Sequence, residues 1–360
     1  MPRRYHDYLS AGYFRIGRAP VNTLQRRQFL LRLAILGSAT ALPSQLLASI
    51  TSAKPQRSAF DEDTTATMVL EGIDLSGKTY AITGANSGLG YETMRVLTQH
   101  GARVIAIARS QKKAEQAVAS ISGDAIPAVL DLGKFDTIVD CAQSIRQLNT
   151  PLDGLICNAG IMALPQRELL YGIEKQFVVN HLGHFILINQ LQEQVVAAPA
   201  GRFVILSSLA HQRAPATGIQ FDDLALEKSE YDAWGAYGHS KLANALCSRE
   251  LARRLNGTSA TSNSVHPGVI NTNLGRHLPW YMRVGGAMFG WTFMKTVEQG
   301  AATQTYVAAH PQMKGINGYY FADCNIDPGE TPSMQDDAMA SQLWEVSERL
   351  TREWLPSKTA

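Results

Sequence analysis

Tyr237-Gly238-His239-Ser240-Lys241 sets a phenol and an amine four residues apart within Ala236 to Leu255, a stretch that reads as helix. Four residues are about one turn, so both side chains share a face. A lone phenol titrates near ~10, and a cation within a few ångströms lowers that by stabilising phenolate. Such a pair can give and take a proton at working pH. A second constellation is Thr83-Gly84-Ala85-Asn86-Ser87-Gly88-Leu89-Gly90, after the apolar run Thr79-Tyr80-Ala81-Ile82 and before the helix-like Tyr91 to His100. Strand, glycine turn and helix bind a dinucleotide pyrophosphate. Glycines admit backbone close to the phosphates, and the helix start offers free N–H groups and a positive dipole. The spacing is Gly-x-x-x-Gly-x-Gly, not the commoner Gly-x-Gly-x-x-Gly. Between the two lie Asn158-Ala159-Gly160, Asn180 and Ser207-Ser208.

The elements that must position these residues follow from hydrophobic patterning. Short apolar runs predict strands at Thr79–Ile82, Arg103–Ala108, Ala125–Leu130, Leu152–Cys157, Arg202–Leu206 and Thr261–Val265. Helix-like stretches alternate with them: Gln111 to Ile121, Phe135 to Leu148, about Leu169 to Val196, and Ala236 to Leu255. Regular alternation implies right-handed crossovers. The predicted fold is an α/β, Rossmann-type doubly wound parallel sheet, a single domain with helices on both faces. Ligands of such sheets sit at the carboxyl ends of the strands, where Gly84, Arg109, Asp131, Asn158, Ser208 and His266 fall.

Bulk properties exclude other classes. Hydrophobic residues are 45% of the 360, and the net charge of +2 gives no basic surface for nucleic acid. Cys141, Cys157, Cys247 and Cys324 are scattered, which predicts buried thiols and no metal site. Residues 1–70 read as a leader and linker. Arg26-Arg27 precede Phe29-Leu30 and a weakly apolar run from Leu33 to Ile50, with Thr51-Ser52-Ala53 as a small-residue cleavage site. This resembles a twin-arginine export signal; an anchor on the membrane face, or a cytoplasmic chain starting near Met68, are the alternatives. Asp61-Glu62-Asp63-Thr64-Thr65 reads as a polar linker before a catalytic domain at 71–355.

The glycine turn, Asn158-Ala159-Gly160, Asn180, Ser207-Ser208 and Tyr-x-x-x-Lys occur in that order. In this the chain resembles the short-chain dehydrogenase/reductase superfamily from about Gly72 to Cys324. Val179-Asn180-His181-Leu182-Gly183-His184-Phe185, Leu206-Ser207-Ser208-Leu209-Ala210-His211, Lys241-Leu242-Ala243-Asn244 and His266-Pro267-Gly268-Val269 look like its retinol dehydrogenase-like branch. That branch includes WW-domain oxidoreductases and lies near protochlorophyllide reductases. The long stretch from Ser208 to Tyr237, with Phe221-Asp222-Asp223-Leu224, is similar to the branch's insertion. No WW module precedes the fold, so that subgroup's interaction role is not implied.

The resemblance implies alcohol–carbonyl interconversion with a nicotinamide cofactor. It gives Tyr237 the acid/base role, and Lys241 the lowering of its pKa and the holding of the nicotinamide ribose. Ser208 orients the substrate oxygen; Ser207 is the neighbouring alternative, and strand alternation lets only one face the site. Asn180 bends its helix and holds a relay water. Gly84, Asn86, Ser87, Gly88, Leu89 and Gly90 cradle the pyrophosphate, Asp131 and Leu132 flank adenine, and Asn158, Ala159 and Gly160 line the adenosine side. Pro267, Gly268 and Thr272 resemble the loop over the nicotinamide amide.

An acid after the second strand would repel a 2′-phosphate, but Ala108-Arg109-Ser110 stands there. Arg109 predicts NADP, with NAD as the alternative. At about 275–296, Trp280, Met282, Met288, Phe289, Trp291, Phe293 and Met294 are interleaved with Gly285, Gly286 and Gly290. This predicts an apolar lid over a lipophilic substrate, or contact with a membrane surface. The rival readings are a protochlorophyllide-type double-bond reductase and a nucleotide-binding scaffold without turnover. Intact Tyr237, Lys241 and Ser208 count against the scaffold.

Overall fold

A computed structural model describes residues 56–228, 230–270, 294–327 and 331–357. The twin-arginine-like segment, residue Thr272 and most of the expected lid lie outside the described residues.

Six strands follow the sequence pattern closely: β1 Thr79–Thr83, β2 Arg103–Ala108, β3 Ala125–Val129, β4 Gly154–Cys157, β5 Arg202–Leu206 and β6 Thr261–Val265. Two more, β7 Tyr320–Ala322 and β8 Asn325–Ile326, complete an 8-stranded sheet of order β8-β7-β6-β5-β4-β1-β2-β3. All neighbours are parallel except β8 on β7. The order reverses between β1 and β4, which opens a crevice at the carboxyl ends of those strands.

Alternation along the strands divides the core in two. Ala81, Ile105, Leu155 and Phe203 face one side, against helices α3 (Phe135–Arg146), α4 (Gly183–Val196), α5 (Ala233–Arg254) and α7 (Asp337–Thr351). Tyr80, Ile82, Val104, Ile156 and Val204 face the other, against α1 (Gly88–Gln99) and α6 (Ala302–Ala309). Helix α2 (Gln111–Ala119) follows β2. Strands buried on both faces need apolar side chains at nearly every position, which is why these runs are continuous rather than alternating.

The structure departs from the sequence reading in three places. The stretch read as one helix from Leu169 opens instead with a hairpin, Leu169–Leu170 paired antiparallel to Ile173–Glu174. Tyr171 and Gly172 take φ of 53° and 74°, the left-handed pair that a tight hairpin requires. A π turn over Val178–Leu182 then leads into α4. Second, β7 and β8 are too short to give a periodic signal. Third, the segment read as a linker is docked on the domain. Thr64, Ala66, Val69 and Leu70 are buried, and Phe60 packs edge-on against Tyr306 at 5.7 Å. The Ser58 N–H donates to Asn325 Oδ1 at 2.8 Å, and Asn325 Nδ2 donates to the Phe60 carbonyl at 2.9 Å. Charge along Asp61–Asp63 hides an anchor built from the apolar residues on either side.

Candidate active site

A cleft of about 460 Å³ opens at the carboxyl ends of β1, β2, β4 and β5. One wall is the glycine turn. Gly84 has φ of 71°, and a Cβ added at Gly90 would lie 2.5 Å from the Gly84 carbonyl and 2.6 Å from Asn158 Nδ2. The absent side chains let the turn pack closely on itself and on Asn158. Helix α1 starts beneath it, and Ser87 places no side-chain cap on its first turn. Unpaired N–H groups at a helix start facing an open cradle fit a pyrophosphate. Asn158 Nδ2 donates to the Thr83 carbonyl at 2.8 Å, tying β4 to β1 at the cleft floor.

The far end of the cleft is lined by Arg109, Lys113, Asp131, Leu132, Gly133 and Leu170. Arg109 and Lys113 are both exposed, and neither has a carboxylate partner among the described residues. Asp131 is turned into its own loop, where Oδ1 accepts the Gly133 N–H at 3.0 Å. Leu132 is buried. The end of β2 therefore carries two cations and no acid.

The proton end is built differently. Asp232 caps α5 by accepting from the N–H groups of Trp234 and Gly235. One turn later Tyr237 and Lys241 line the same cleft, both buried. Lys241 Nζ donates to the Leu206 carbonyl at 3.0 Å and lies 5.6 Å from the centre of the Tyr237 ring. Ser207 Oγ donates to the Lys241 carbonyl at 2.7 Å and is spent on fastening β5 to α5. Ser208 is the serine hydrogen-bonded to Tyr237. Gly160 leaves room for Asn180 and Lys241, since a Cβ there would lie 3.0 Å from Asn180 Oδ1.

Asn180 sits in the π turn, fully buried. Its Oδ1 accepts the Ile161 N–H at 2.8 Å; its Nδ2 donates to the Ile161 carbonyl and to Ser240 Oγ, each at 2.9 Å. Both amide protons are thus committed, and the side chain is a brace between β4's extension and α5.

Electrostatics differ from the sequence expectation too. Burial pushes the Tyr237 phenol up to about 12, against a lowering hydrogen bond from Ser208. The Lys241 ammonium bonds the Leu206 carbonyl and lies 5.6 Å from the ring centre, and burial is the larger influence on the phenol. Burial also lowers Lys241, to about 8. A low-dielectric site penalises both charged forms.

Of the residues named from sequence, Gly84, Asn86, Ser87, Gly88, Leu89, Arg109, Asp131, Leu132, Asn158, Ala159, Gly160, Tyr237, Lys241 and Pro267 line this cleft. Gly90 supports it from behind. Gly268 (φ 93°) packs on Lys295, whose ammonium pairs with Asp323. Sequence reasoning missed Lys113, and gave Thr83 and His184 no role in the site beyond their place in the motifs. The signal for Lys113 was its position in the first turn of the helix after β2.

Comparison with known proteins agrees with this geometry. The short chain dehydrogenase family profile matches residues 78–220. The chain is similar to the WW domain-containing oxidoreductase of Homo sapiens, 38% identical over 84% of this chain and 75% of that protein. It is also similar to retinol dehydrogenase 14 of Homo sapiens, 40% identical over 76% and 86%. A crystal structure of an uncharacterized protein from Mycobacterium paratuberculosis superposes with a TM-score of 0.63 at 33% identity, covering 78% of this chain and 95% of that one. A glycine cradle on a helix start, a buried Tyr–Lys pair on one helix face and relatives of this likeness lead to one conclusion: the chain belongs to the short-chain dehydrogenase/reductase family and is an NAD(P)-dependent oxidoreductase.

Proposed function

We propose that the chain uses NADP and interconverts a lipophilic alcohol and its aldehyde or ketone. The observation that carries the cofactor choice is the pair Arg109 and Lys113 just after β2, with one oxygen of Asp131 occupied by the Gly133 N–H. Two cations there favour a 2′-phosphate by charge-assisted hydrogen bonds, whereas a ribose hydroxyl needs an acceptor. For the substrate, Leu209 and Val269, at 45% and 54% exposure, follow Ser208 and Gly268 closely in sequence. The Trp- and Met-rich sequence of residues 280–294 supports the same reading by its composition alone.

When bound, the nicotinamide supplies or accepts the hydride and, oxidised, adds positive charge beside the phenol. Tyr237 gives or takes the proton at its phenol oxygen. Ser208 has one hydroxyl proton: it donates to the phenolate, favouring the ionised form, or to the substrate oxygen once that is bound. Lys241 holds the ribose hydroxyls from its post under the ring. Asn180 keeps Ile161 and α5 in register around them.

The test is a panel of carbonyls, all-trans-retinal, decanal and a steroid ketone, each followed by reduced-nicotinamide absorbance with NADPH and with NADH. Preference for NADPH with at least one panel member supports the reading. Equal use of both nucleotides overturns the cofactor half, and turnover confined to polar carbonyls overturns the substrate half.

The same proposal extends to location. Arg26-Arg27 before Phe29-Leu30 supports export of the folded chain by a twin-arginine route. A cut near Thr51–Ala53 would leave the docked residues 58–70 intact. Cell fractionation beside an Arg26→Lys, Arg27→Lys double variant tests it: processed protein outside the cytoplasm only with the arginines supports export, and unprocessed cytosolic protein from both refutes it. Among the described residues no helix is long and apolar enough to cross a membrane.

A further inference from the structure

His184 lies one turn beyond Asn180 and is fully buried, and both ring nitrogens are engaged. Nδ1 is 2.9 Å from the Asn180 carbonyl, and Nε2 is 2.9 Å from Thr83 Oγ1. A carbonyl can only accept, so Nδ1 carries the proton. Nε2 is then the acceptor, and the Thr83 hydroxyl must donate to it. The only other acceptor near that hydroxyl proton, the Ile156 carbonyl, is at 3.5 Å. With its proton placed, the hydroxyl turns its lone pairs to the N–H groups of Asn158 and Ala159, each at 3.0 Å. The imidazole thus fixes where the Thr83 hydroxyl proton points in the chain of bonds from the Asn180 carbonyl to Asn158–Ala159.

We propose that His184 is a positioning residue that locks the nucleotide-facing floor, Thr83 with Asn158 and Ala159, to the Asn180 brace of the proton end. The two halves of the site lie on different elements, and this ring ties β1 to the π turn before α4. Burial holds its pKa down at about 4, with Lys241 adding to that and the Asn180 bond opposing it, so the ring stays neutral and the bonds keep one direction at working pH. The inference uses the site assignment above but not the identity of the substrate.

The two contacts can be cut separately. Asn189 on the same helix donates its side-chain amide to the Phe185 carbonyl at 2.8 Å, four residues back. His184→Asn can therefore keep the bond to Asn180 while losing Thr83. His184→Gln reaches Thr83 with its carbonyl oxygen and gives up Asn180. Nucleotide dissociation constants are measured by protein fluorescence quenching, with whichever of NADPH and NADH the native chain binds tighter. Turnover is measured at saturating nucleotide with the best panel carbonyl. For contact energies of this kind, His184→Asn should weaken nucleotide binding about 5–10-fold with kcat within about twofold, and His184→Gln should do the reverse. Thr83→Val, which also takes the acceptor from the Asn158 and Ala159 N–H groups, should weaken nucleotide binding at least as much, and adding His184→Asn to it should cost nothing further. This cycle needs no substrate and stands if His184→Gln fails to fold. Side-chain 15N spectra should show His184 as the Nδ1–H tautomer. Losses of affinity and turnover in the same proportion in both variants, fully additive losses in the cycle, or an Nε2–H tautomer would each overturn the proposal. Nucleotide preference of the native chain tests the proposed function separately.

Discussion

The two ends of the cleft are built on opposite principles. At the proton end Asn180, Tyr237, Ser240 and Lys241 are all buried, and each side chain is held by named partners. At the far end, where the proposed reading puts the adenosine, Arg109 and Lys113 stand in solvent with no ion-pair partner among the described residues. A proton must be transferred over a fixed distance, and a dry site strengthens each electrostatic contact there. A phosphate is a diffuse dianion that long, mobile cations can find. The proton end should therefore respond to geometry, and the adenosine end to charge and salt.

The sharpest break in this comparison is Tyr237→Phe, which removes one oxygen and keeps the packing. Turnover should fall about 10²–10⁴-fold while nucleotide binding survives, read as kcat beside a dissociation constant. Near-native turnover would remove Tyr237 from the chemistry. Next is Gly90→Ala, a geometric lesion in the cradle between the two ends. Its Cβ would collide with the Gly84 carbonyl, and overpacking of that kind should weaken NADPH and NADH alike by about 10–100-fold. A loss confined to one nucleotide would show that the cradle reads more than pyrophosphate.

Arg109→Asp acts on charge alone. It should weaken NADPH by about 10–100-fold, by loss of charge-assisted bonds and added repulsion, and leave NADH nearly unchanged. Adding 0.5 M salt should erode native NADPH affinity in the same direction, and a salt-insensitive affinity would place the phosphate elsewhere.

The smallest effect concerns acid. Burial lowers His181 to about 3 and His184, His239 and His266 to about 4, all around the proton end. As pH falls below ~6.5 the unfolded chain takes up protons first, so stability present above that pH is lost progressively toward about 4. Tm should drop by several degrees between pH 7 and pH 5, and more in the native chain than in His184→Gln. A Tm that rises on acidification would contradict the neutral buried rings.

The strands β1 to β6 and the helix carrying Tyr237 and Lys241 were legible because both signals are local. Buried parallel strands need unbroken apolar runs, and a four-residue step on a helix keeps two side chains on one face. The hairpin at Leu169–Glu174 was not legible, because its apolar residues also fit a helical period and only the left-handed Tyr171–Gly172 pair breaks it. The docked Ser58–Leu70 segment was hidden because its partners, Tyr306 and Asn325, are distant in the chain.

By itself the sequence determined which residue types stand at the strand ends, and with them the family, the glycine turn after β1 and the cations after β2, since all three rest on neighbours in the chain. Only the tertiary structure decided how each serine is engaged. Ser207 Oγ donates to the Lys241 carbonyl, whereas Ser208 Oγ accepts the Ala210 N–H beside Tyr237. It also decided that Asn180 is a brace, that burial outweighs Lys241 at the Tyr237 phenol, and that His184 joins Thr83 to Asn180. Each of these depends on desolvation and on hydrogen-bond partners brought together from separate elements, which no local pattern encodes.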